Sequence, residues 1–197
     1  EKKIELTKLS ANNHTFYTLK LNLDNTKLKT LENLAYYDTL TNLPNRRLFL
    51  DRAETSLRES RRHSKKLAIL FIDLDNFKFI NDKNGHNVGD VALKEISKIY
   101  SNCMRESDTL ARYGGDEFTI LMPNILNRED AGKVAKRILA SDHYLLIDNI
   151  KIVAKTSLGI SIYPDDGNTI SELINNADKA MYISKNNKDN KKYTFYK

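Results

Sequence analysis

Four acidic residues at two turns are the groups in this chain best suited to chemistry. Gly114-Gly115-Asp116-Glu117 lies between two short apolar stretches, Leu110-Ala111 and Phe118-Thr119-Ile120-Leu121-Met122. Paired glycines permit a tight turn. The pattern therefore predicts strand, turn, strand, with two carboxylates presented at a hairpin tip. A second turn, Asp73-Leu74-Asp75, follows residues 67–72, a continuous apolar run. Such a run marks a strand buried on both faces. An acid at the end of a buried strand is costly unless it is hydrogen-bonded or holds a metal. If the two strands pair, the turns form a carboxylate cluster. Carboxylates, backbone carbonyls and phosphate oxygens are the ligands Mg²⁺ prefers. No Gly-x4-Gly-Lys-Ser/Thr occurs, so phosphate chemistry here would rest on metals and lysines rather than on a P-loop. A single acidic turn is equally well a solvated turn; two of them point to metal-assisted phosphate chemistry.

These residues belong to an ordered set that resembles the GGDEF-domain diguanylate cyclases. The set opens with Asp38-Thr-Leu-Thr-Asn-Leu-Pro-Asn-Arg46, similar to the family's Asp-x-Leu-Thr-Gly-Leu-Pro-Asn-Arg. Phe71-Ile-Asp-Leu-Asp-Asn-Phe-Lys-Phe-Ile-Asn-Asp82, Gly85-His-Asn-Val-Gly-Asp90 and Arg105-Glu-Ser-Asp108 follow. After the hairpin come Ser157-Leu-Gly-Ile-Ser161 and Ala177-Asp-Lys-Ala-Met-Tyr-Ile-Ser-Lys185. The resemblance covers about residues 35 to 197. It implies an α+β fold, with a central, mainly antiparallel sheet flanked by helices, related to nucleotidyl cyclases and the polymerase palm. It also implies condensation of two GTP into cyclic di-GMP with release of pyrophosphate.

The resemblance assigns roles to individual residues. It places metal ligands at Asp73, the main-chain carbonyl of Leu74 and Asp116, with Mg²⁺ or Mn²⁺ as the cofactor and two ions per active site. Asp116 is also the family's candidate for accepting the hydroxyl proton, and Glu117 would help hold the hairpin or the metals. Lys78 matches a lysine that steadies the transition state, and Lys185 one that grips the terminal phosphate. Asn81 and Asp90 match the guanine contacts, and His86 falls at a substrate-proximal position. Main-chain N–H groups of Asn76 and Phe77, opening a predicted short helix, form a natural anion site. Arg105 and Asp108 match an inhibitory site for cyclic di-GMP, with Lys136 or Arg137 as a secondary contact. Blander roles stand beside these: a helix N-cap for Asp90, a structural role for His86, a solvated lysine at 185, and a weak local ion pair for Arg105 and Asp108.

Two departures from the family pattern bear on function. The family continues the last helix with Lys-x-x-Gly-Arg-Asn, whereas this chain has Lys185-Asn-Asn-Lys188-Asp189-Asn190. Asp189 reverses a charge near the expected triphosphate, and the neighbouring Lys188 does not repeat a bidentate arginine grip. Asn42 replaces the opening glycine, a milder change because Asn tolerates left-handed backbone.

The elements that must position these groups can be read from periodicity. Helices are expected at residues 45–63, 75–81, 89–104, 128–140 and 169–187. Strands are expected at 67–72, 144–150, 151–163 and 193–196, besides the acidic hairpin. Residues 1–34 stand apart from residues 35–197. Ile4, Leu6, Tyr17, Leu19, Leu21 and Leu23 alternate with mostly polar residues around a turn-like Ser10-Ala-Asn-Asn-His14, which predicts a hairpin. A cap at Asp24-Asn25-Thr26 then opens a helix carrying Leu28, Leu31, Leu34 and Ala35. A strand running into a capped helix resembles the exit from a PAS sensor domain; an unrelated linker is the other reading.

Composition bounds the alternatives. Apolar content of 40% can form a core, and a net charge of +6 alone would admit nucleic-acid or membrane partners. No aromatic-basic motif supports nucleic acid, and no run of 18 apolar residues suits a membrane span. Any membrane contact is expected through regions outside this sequence, in keeping with a cytoplasmic domain of a membrane-anchored sensor. The single Cys103 excludes an internal disulfide and is expected to be a buried small hydrophobe. The leading expectation is a cyclase that works as a homodimer, because two GTP must face each other. The alternative is a catalytically inactive GTP or cyclic di-GMP sensor that regulates a partner.

Overall fold

The computed structural model of this chain describes residues 3–11, 14–22, 31, 33–140, 143–187 and 192–197. It divides into two compact units, Glu1–Ala35 and Tyr36–Lys197. In the first, β1 (Lys3–Ala11) and β2 (His14–Asn22) form an antiparallel hairpin whose register runs from Lys3 opposite Asn22 to Ala11 opposite His14. The expected cap at Asp24-Asn25-Thr26 lies outside the described residues, as do Lys188 and Asp189; residues 33–36 are helical.

The second unit is built on one sheet. Its strands are β3 (Lys66–Asp75), β4 (Thr109–Gly114), β5 (Glu117–Ile125), β6 (His143–Ile147) and β7 (Ile150–Tyr163), in the order β4-β5-β3-β7-β6. Every neighbouring pair along that path is antiparallel. The short β8 (Tyr193–Phe195) joins β7 in parallel. Five helices flank the sheet: α1 (Arg46–His63), α2 (Phe77–Asn84), α3 (His86–Asn102), α4 (Arg128–Ala140) and α5 (Ile170–Asn186).

The all-apolar run of β3 follows from burial on both faces. Ala68, Leu70 and Ile72 join a core with Phe77, Leu93, Ile96 and Tyr100. Leu67, Ile69 and Phe71 join another with Phe49, Leu57, Leu173 and Ala177. Alternate side chains of a strand point to opposite faces, so one continuous apolar run serves two layers of helices. α5 opens with a capping box between Thr169 and Glu172. It then lies directly on the backbone of β7 at Gly159, where a Cβ would collide with Ala177 O and Met181 N. That contact fixes the height at which α5 delivers Lys185. Cys103 is buried, as its surroundings in the sequence suggest. Among the described residues, no helix is long and apolar enough to cross a membrane.

Three boundaries differ from the periodic reading. β3 continues to Asp75, paired with Lys155, so α2 begins later, at Phe77. α3 begins at His86 rather than near residue 89, because Gly85 at φ 87 turns the chain directly from one helix into the next. The β6–β7 turn falls at Asp148-Asn149, with φ of 48° and 64°, where Asp and Asn tolerate the left-handed region that a two-residue hairpin loop demands.

Candidate active site

Register, rather than sequence proximity, assembles the acids. β3 pairs with β5 so that Asp73 stands opposite Glu117, and with β7 so that Asp73 stands opposite Ser157. The Leu74 N–H donates to Asp116 O at 3.3 Å, tying the strand end to the hairpin loop. Gly115, the first of the two loop residues, has φ 47, which the missing Cβ makes inexpensive. Arg112 locks this turn. Its Nε and Nη2 donate to Gly115 O at 2.9 and 2.8 Å, and its Nη1 donates to both carboxylate oxygens of Asp38 at 3.1 Å. Asp38 also accepts the Thr41 N–H at 2.8 Å and the Thr41 hydroxyl at 2.7 Å. Burial opposes ionisation of Asp38, but Thr41 and Arg112 outweigh it and hold the carboxyl below its ordinary range. Asn42 sits at φ 58, so it adopts the backbone expected where the family has glycine.

The cluster is electrostatically crowded. Burial pushes the Asp73 carboxyl up, Lys185 opposes, and Asp116 and Asp75 push it further up. Burial also raises Glu117, reinforced by Asp116, Asp178 and Asp73 and opposed by Arg46. Lys185 Nζ lies 2.6 Å from Asp73 Oδ1. Burial disfavours the Lys185 cation, but its bond to Asp73 and the charges of Asp73, Asp75 and Asp116 more than compensate and raise it. Asp75 is occupied differently: Ser157 Oγ donates to Oδ1 at 2.7 Å and Lys192 Nζ to Oδ2 at 3.2 Å. Asp73 thus lies within electrostatic reach of Asp116 and Asp75, and a lysine already sits on it. Neighbouring carboxylates that repel each other, with the Leu74 carbonyl directly following Asp73, suit a divalent cation. Among the described residues, no three His, Cys, Asp or Glu side chains gather as a self-sufficient cage. Such a site needs phosphate oxygens to complete it, as Mg²⁺ sites commonly do.

Beside the acids, α2 starts two residues after Asp75, at Phe77. Asn76 precedes it at φ 59 and gives no side-chain cap, so its side chain does not occupy the opening N–H groups, a chemistry that suits an anion. Lys78 is exposed on the same helix. Asn81 lies against α3 at Gly89, where a Cβ would overlap the Asn81 amide oxygen. This close approach sets Asn81 against the residue that precedes Asp90 on α3. Asp90 is exposed and lies a full turn inside α3, whose N-cap is Gly85, so it is not a capping residue. His86 is exposed at the first position of α3.

Arg105 and Asp108 lie away from the acidic turns. They precede β4, whose six residues span about 20 Å between them and the hairpin tip. Asp108 Oδ2 accepts the Arg105 N–H at 3.1 Å and lies 3.9 Å from its Nε. The Asp108 side chain is fully buried while Arg105 is half exposed, and Asp108 Oδ1 has no hydrogen-bond partner. Arg137 Nη2 donates to Cys103 O at 2.8 Å, which brings α4 to the same end of the molecule.

Two supporting groups were not assigned from sequence. The Asp38–Arg112 pair joins residues 74 apart, a link no local pattern shows. Arg46 and Asp178 flank Glu117, and with Glu54, Phe71 and Tyr113 they line a groove of about 590 Å³. A neighbouring groove of about 700 Å³ lies behind Gly114-Gly115 among Asp38, Arg46, Arg47 and Arg112. Neither groove contains Asn81 or Asp90, which stand on the helices beside the other core. The signal for Arg112 was its place two residues before the glycines, within reach of the turn's backbone carbonyls.

A helix-flanked antiparallel sheet, with paired carboxylates at a strand end and an uncapped helix start beside them, defines an α+β domain of the nucleotidyl cyclase and polymerase palm class. The diguanylate cyclase GGDEF domain family matches residues 35–191, and the chain belongs to that family. It is similar to the diguanylate cyclase TpbB of Pseudomonas aeruginosa, with 41% identity over 158 residues, 79% of this chain and 36% of that protein. It also resembles the bifunctional diguanylate cyclase/cyclic di-GMP phosphodiesterase MucR of Pseudomonas aeruginosa, with 40% identity over 160 residues, 80% of this chain and 23% of that protein. The chain therefore spans about a third or less of the length of these relatives. The solved GGDEF domain of TpbB superposes with a TM-score of 0.77 at 37% identity, covering 82% of this chain and 95% of that one. The diguanylate cyclase SiaD of Pseudomonas aeruginosa, solved in complex with its activator SiaC, gives 0.75 at 32% identity, covering 86% and 65%.

Proposed function

We propose that this domain condenses two GTP into cyclic di-GMP, releasing two pyrophosphates. One observation carries the reading: Asp73, whose carboxyl is pushed up by burial and by the neighbouring Asp116 and Asp75 charges, stands opposite Glu117 in the β3–β5 register, with the Lys185 cation 2.6 Å away. Asp73, Asp116 and the Leu74 carbonyl would hold Mg²⁺ or Mn²⁺, two ions per active site, which would neutralise charge building on the leaving phosphates. The N–H groups of Asn76 and Phe77 would receive phosphate oxygens, and Lys78 would steady the transferring phosphate. Lys185 would pass from Asp73 to the terminal phosphate when nucleotide arrives. Asp90 would accept from the guanine N1–H and amine, the Asn81 amide would sit near O6, and His86 would border the base. Asp116 would take the proton of the attacking 3′-hydroxyl; Glu117 would brace the hairpin.

Each domain supplies one nucleotide site, so the reaction needs a homodimer with two sites facing each other. Arg105 and Asp108 would bind cyclic di-GMP and restrain synthesis. The buried Asp108 oxygen with no partner supports this role, because an unsatisfied buried acceptor invites a donor such as the guanine edge. Residues 1–34 would be the tail of a sensor feeding the cyclase through the helix that ends near residue 36. The β1–β2 hairpin and the start of the family match at residue 35 support that division. GTP and a lone thiol fit a cytoplasmic domain. An inactive nucleotide sensor is favoured only by Asp189.

The test is incubation with GTP and Mg²⁺ at several protein concentrations, with products separated by anion exchange. Cyclic di-GMP and pyrophosphate should appear in a one-to-two ratio. GTP binding without either product would give the sensor reading precedence.

A further inference from the structure

We infer that Lys192 is a second triphosphate-binding cation of the nucleotide site, working beside Lys185; this rests on the nucleotide reading proposed above. The carboxyl end of β3 carries two acids on one strand face, Asp73 and Asp75, two residues apart. Each is matched by a lysine from the C-terminal part of the chain. Lys185, at the end of α5, sits 2.6 Å from Asp73, and Lys192, just before β8, sits 3.2 Å from Asp75. The end of α5 and the residue before β8 thus each place an ammonium group on the same strand end.

Lys192 is held there by its backbone. Its carbonyl accepts the Leu158 N–H at 3.0 Å, and Tyr193 pairs with Leu158 in the parallel ladder. Thr194, two residues on, meets Ser184 Oγ at 2.8 Å, one residue before Lys185. The two lysines are therefore fixed to one another through β8. The Asp75 carboxylate is already satisfied at Oδ1 by Ser157. It is nearly buried, at 10% exposure, whereas the Lys192 side chain keeps 32%. An ammonium that remains solvent-facing while neutralising a buried acid can accept a further anion.

The adjacent features say which anion. Asp75 is followed at once by Asn76 and the uncapped start of α2, an anion site in its own right. Lys185, Lys192 and these N–H groups thus converge on one strand end from three elements. Three separate donors suit a chain of phosphates rather than a single one. Lys192 adds charge toward the triphosphate and none toward guanine, so it sets affinity for the number of phosphates.

The probes are guanosine 5′-[α,β-methylene]triphosphate, which cannot be cyclised, and GMP, both titrated calorimetrically with Mg²⁺ against the full chain. Lys192→Gln should weaken the triphosphate analogue about tenfold, the scale of one charge-assisted contact, and GMP less than about twofold. Lys192→Arg should restore most of the loss. Asp75→Asn, which releases Lys192 without removing it, should keep or tighten analogue binding. Equal weakening of analogue and GMP by Lys192→Gln, or parallel losses in Lys192→Gln and Asp75→Asn, would reduce the pair to a structural brace and overturn the inference. Analogue affinity within about twofold of the unmodified chain would also overturn it. An unmodified chain that binds neither probe would overturn the nucleotide reading itself.

Discussion

Replacing Gly89 with Ala adds a single methyl group at the point where α2 and α3 touch. That methyl would overlap the Asn81 amide oxygen and stand 3.0 Å from Asn81 Cγ and 3.2 Å from Phe77 Cζ. Gly89 lies in a helix and is not among the glycines at positive φ, so the backbone itself accepts alanine. Helix propensity favours the change by about 1 kcal/mol, and overpacking opposes it by about 1–3 kcal/mol. The fold should therefore lose no more than about 2 kcal/mol, which is roughly 4–8 °C in Tm for a domain of this size. The amide has no such latitude. The methyl occupies its resting place, and Asn81 must rotate away from its position against Gly89. If that amide contacts guanine, one hydrogen bond disappears, worth about 0.5–1.5 kcal/mol. The KM for GTP should rise between about twofold and tenfold, with kcat little changed. The preference for GTP over ATP should shrink by a similar factor. Pyrophosphate release measured against both nucleotides, with protein in excess of its dimer constant, reads this directly. An unchanged KM beside a lowered Tm would refute the reasoning, leaving Gly89 and Asn81 as packing partners only.

Asp116→Asn should reduce synthesis at least about a hundredfold, yet leave thermal stability equal or higher, because Asp116 raises both Asp73 and Glu117; near-normal turnover at ordinary Mg²⁺ would remove it from the metal set. Arg112→Ala should cost about 1–3 kcal/mol by urea unfolding near neutral pH, since it strips hydrogen bonds from Asp38 and Gly115. Asp38 is held below 3.8, so its contribution is present above that value and lost as pH falls through its folded value; a deficit that stays constant down to about pH 3 would argue against the pair. Asp73 and Glu117 are raised above 3.8 and 4.5, so the fold holds their protons more tightly than the unfolded chain and loses stability as pH climbs through their folded values. Mg²⁺ should therefore raise Tm more at about pH 7.5 than at about pH 5, and an equal rise at both would contradict binding at these carboxylates. Arg105→Ala should lower calorimetric affinity for cyclic di-GMP about tenfold and relieve product inhibition; unaltered binding would end the inhibitory assignment.

What the sequence alone determined is local. Gly114-Gly115 before two acids specified a hairpin, residues 67–72 specified a doubly buried strand, and Thr169 opened the last helix. Each depends on backbone freedom, side-chain periodicity or capping within a few residues, which the order of amino acids encodes directly. The ordered motifs added the family and named Asp73, Asp116, Asn81 and Asp90. Tertiary structure decided which of these meet. The β3–β5 register alone set Asp73 opposite Glu117, because a shift of one residue would have turned the acid to the other face. The fold also joined Asp38 to Arg112 across 74 residues, placed Asp90 inside a helix rather than at its cap, and set Lys185 and Lys192 on neighbouring acids. Those pairings arise from how layers of helices close over a twisted sheet. They depend on the packing of distant apolar side chains, which no short stretch of sequence contains.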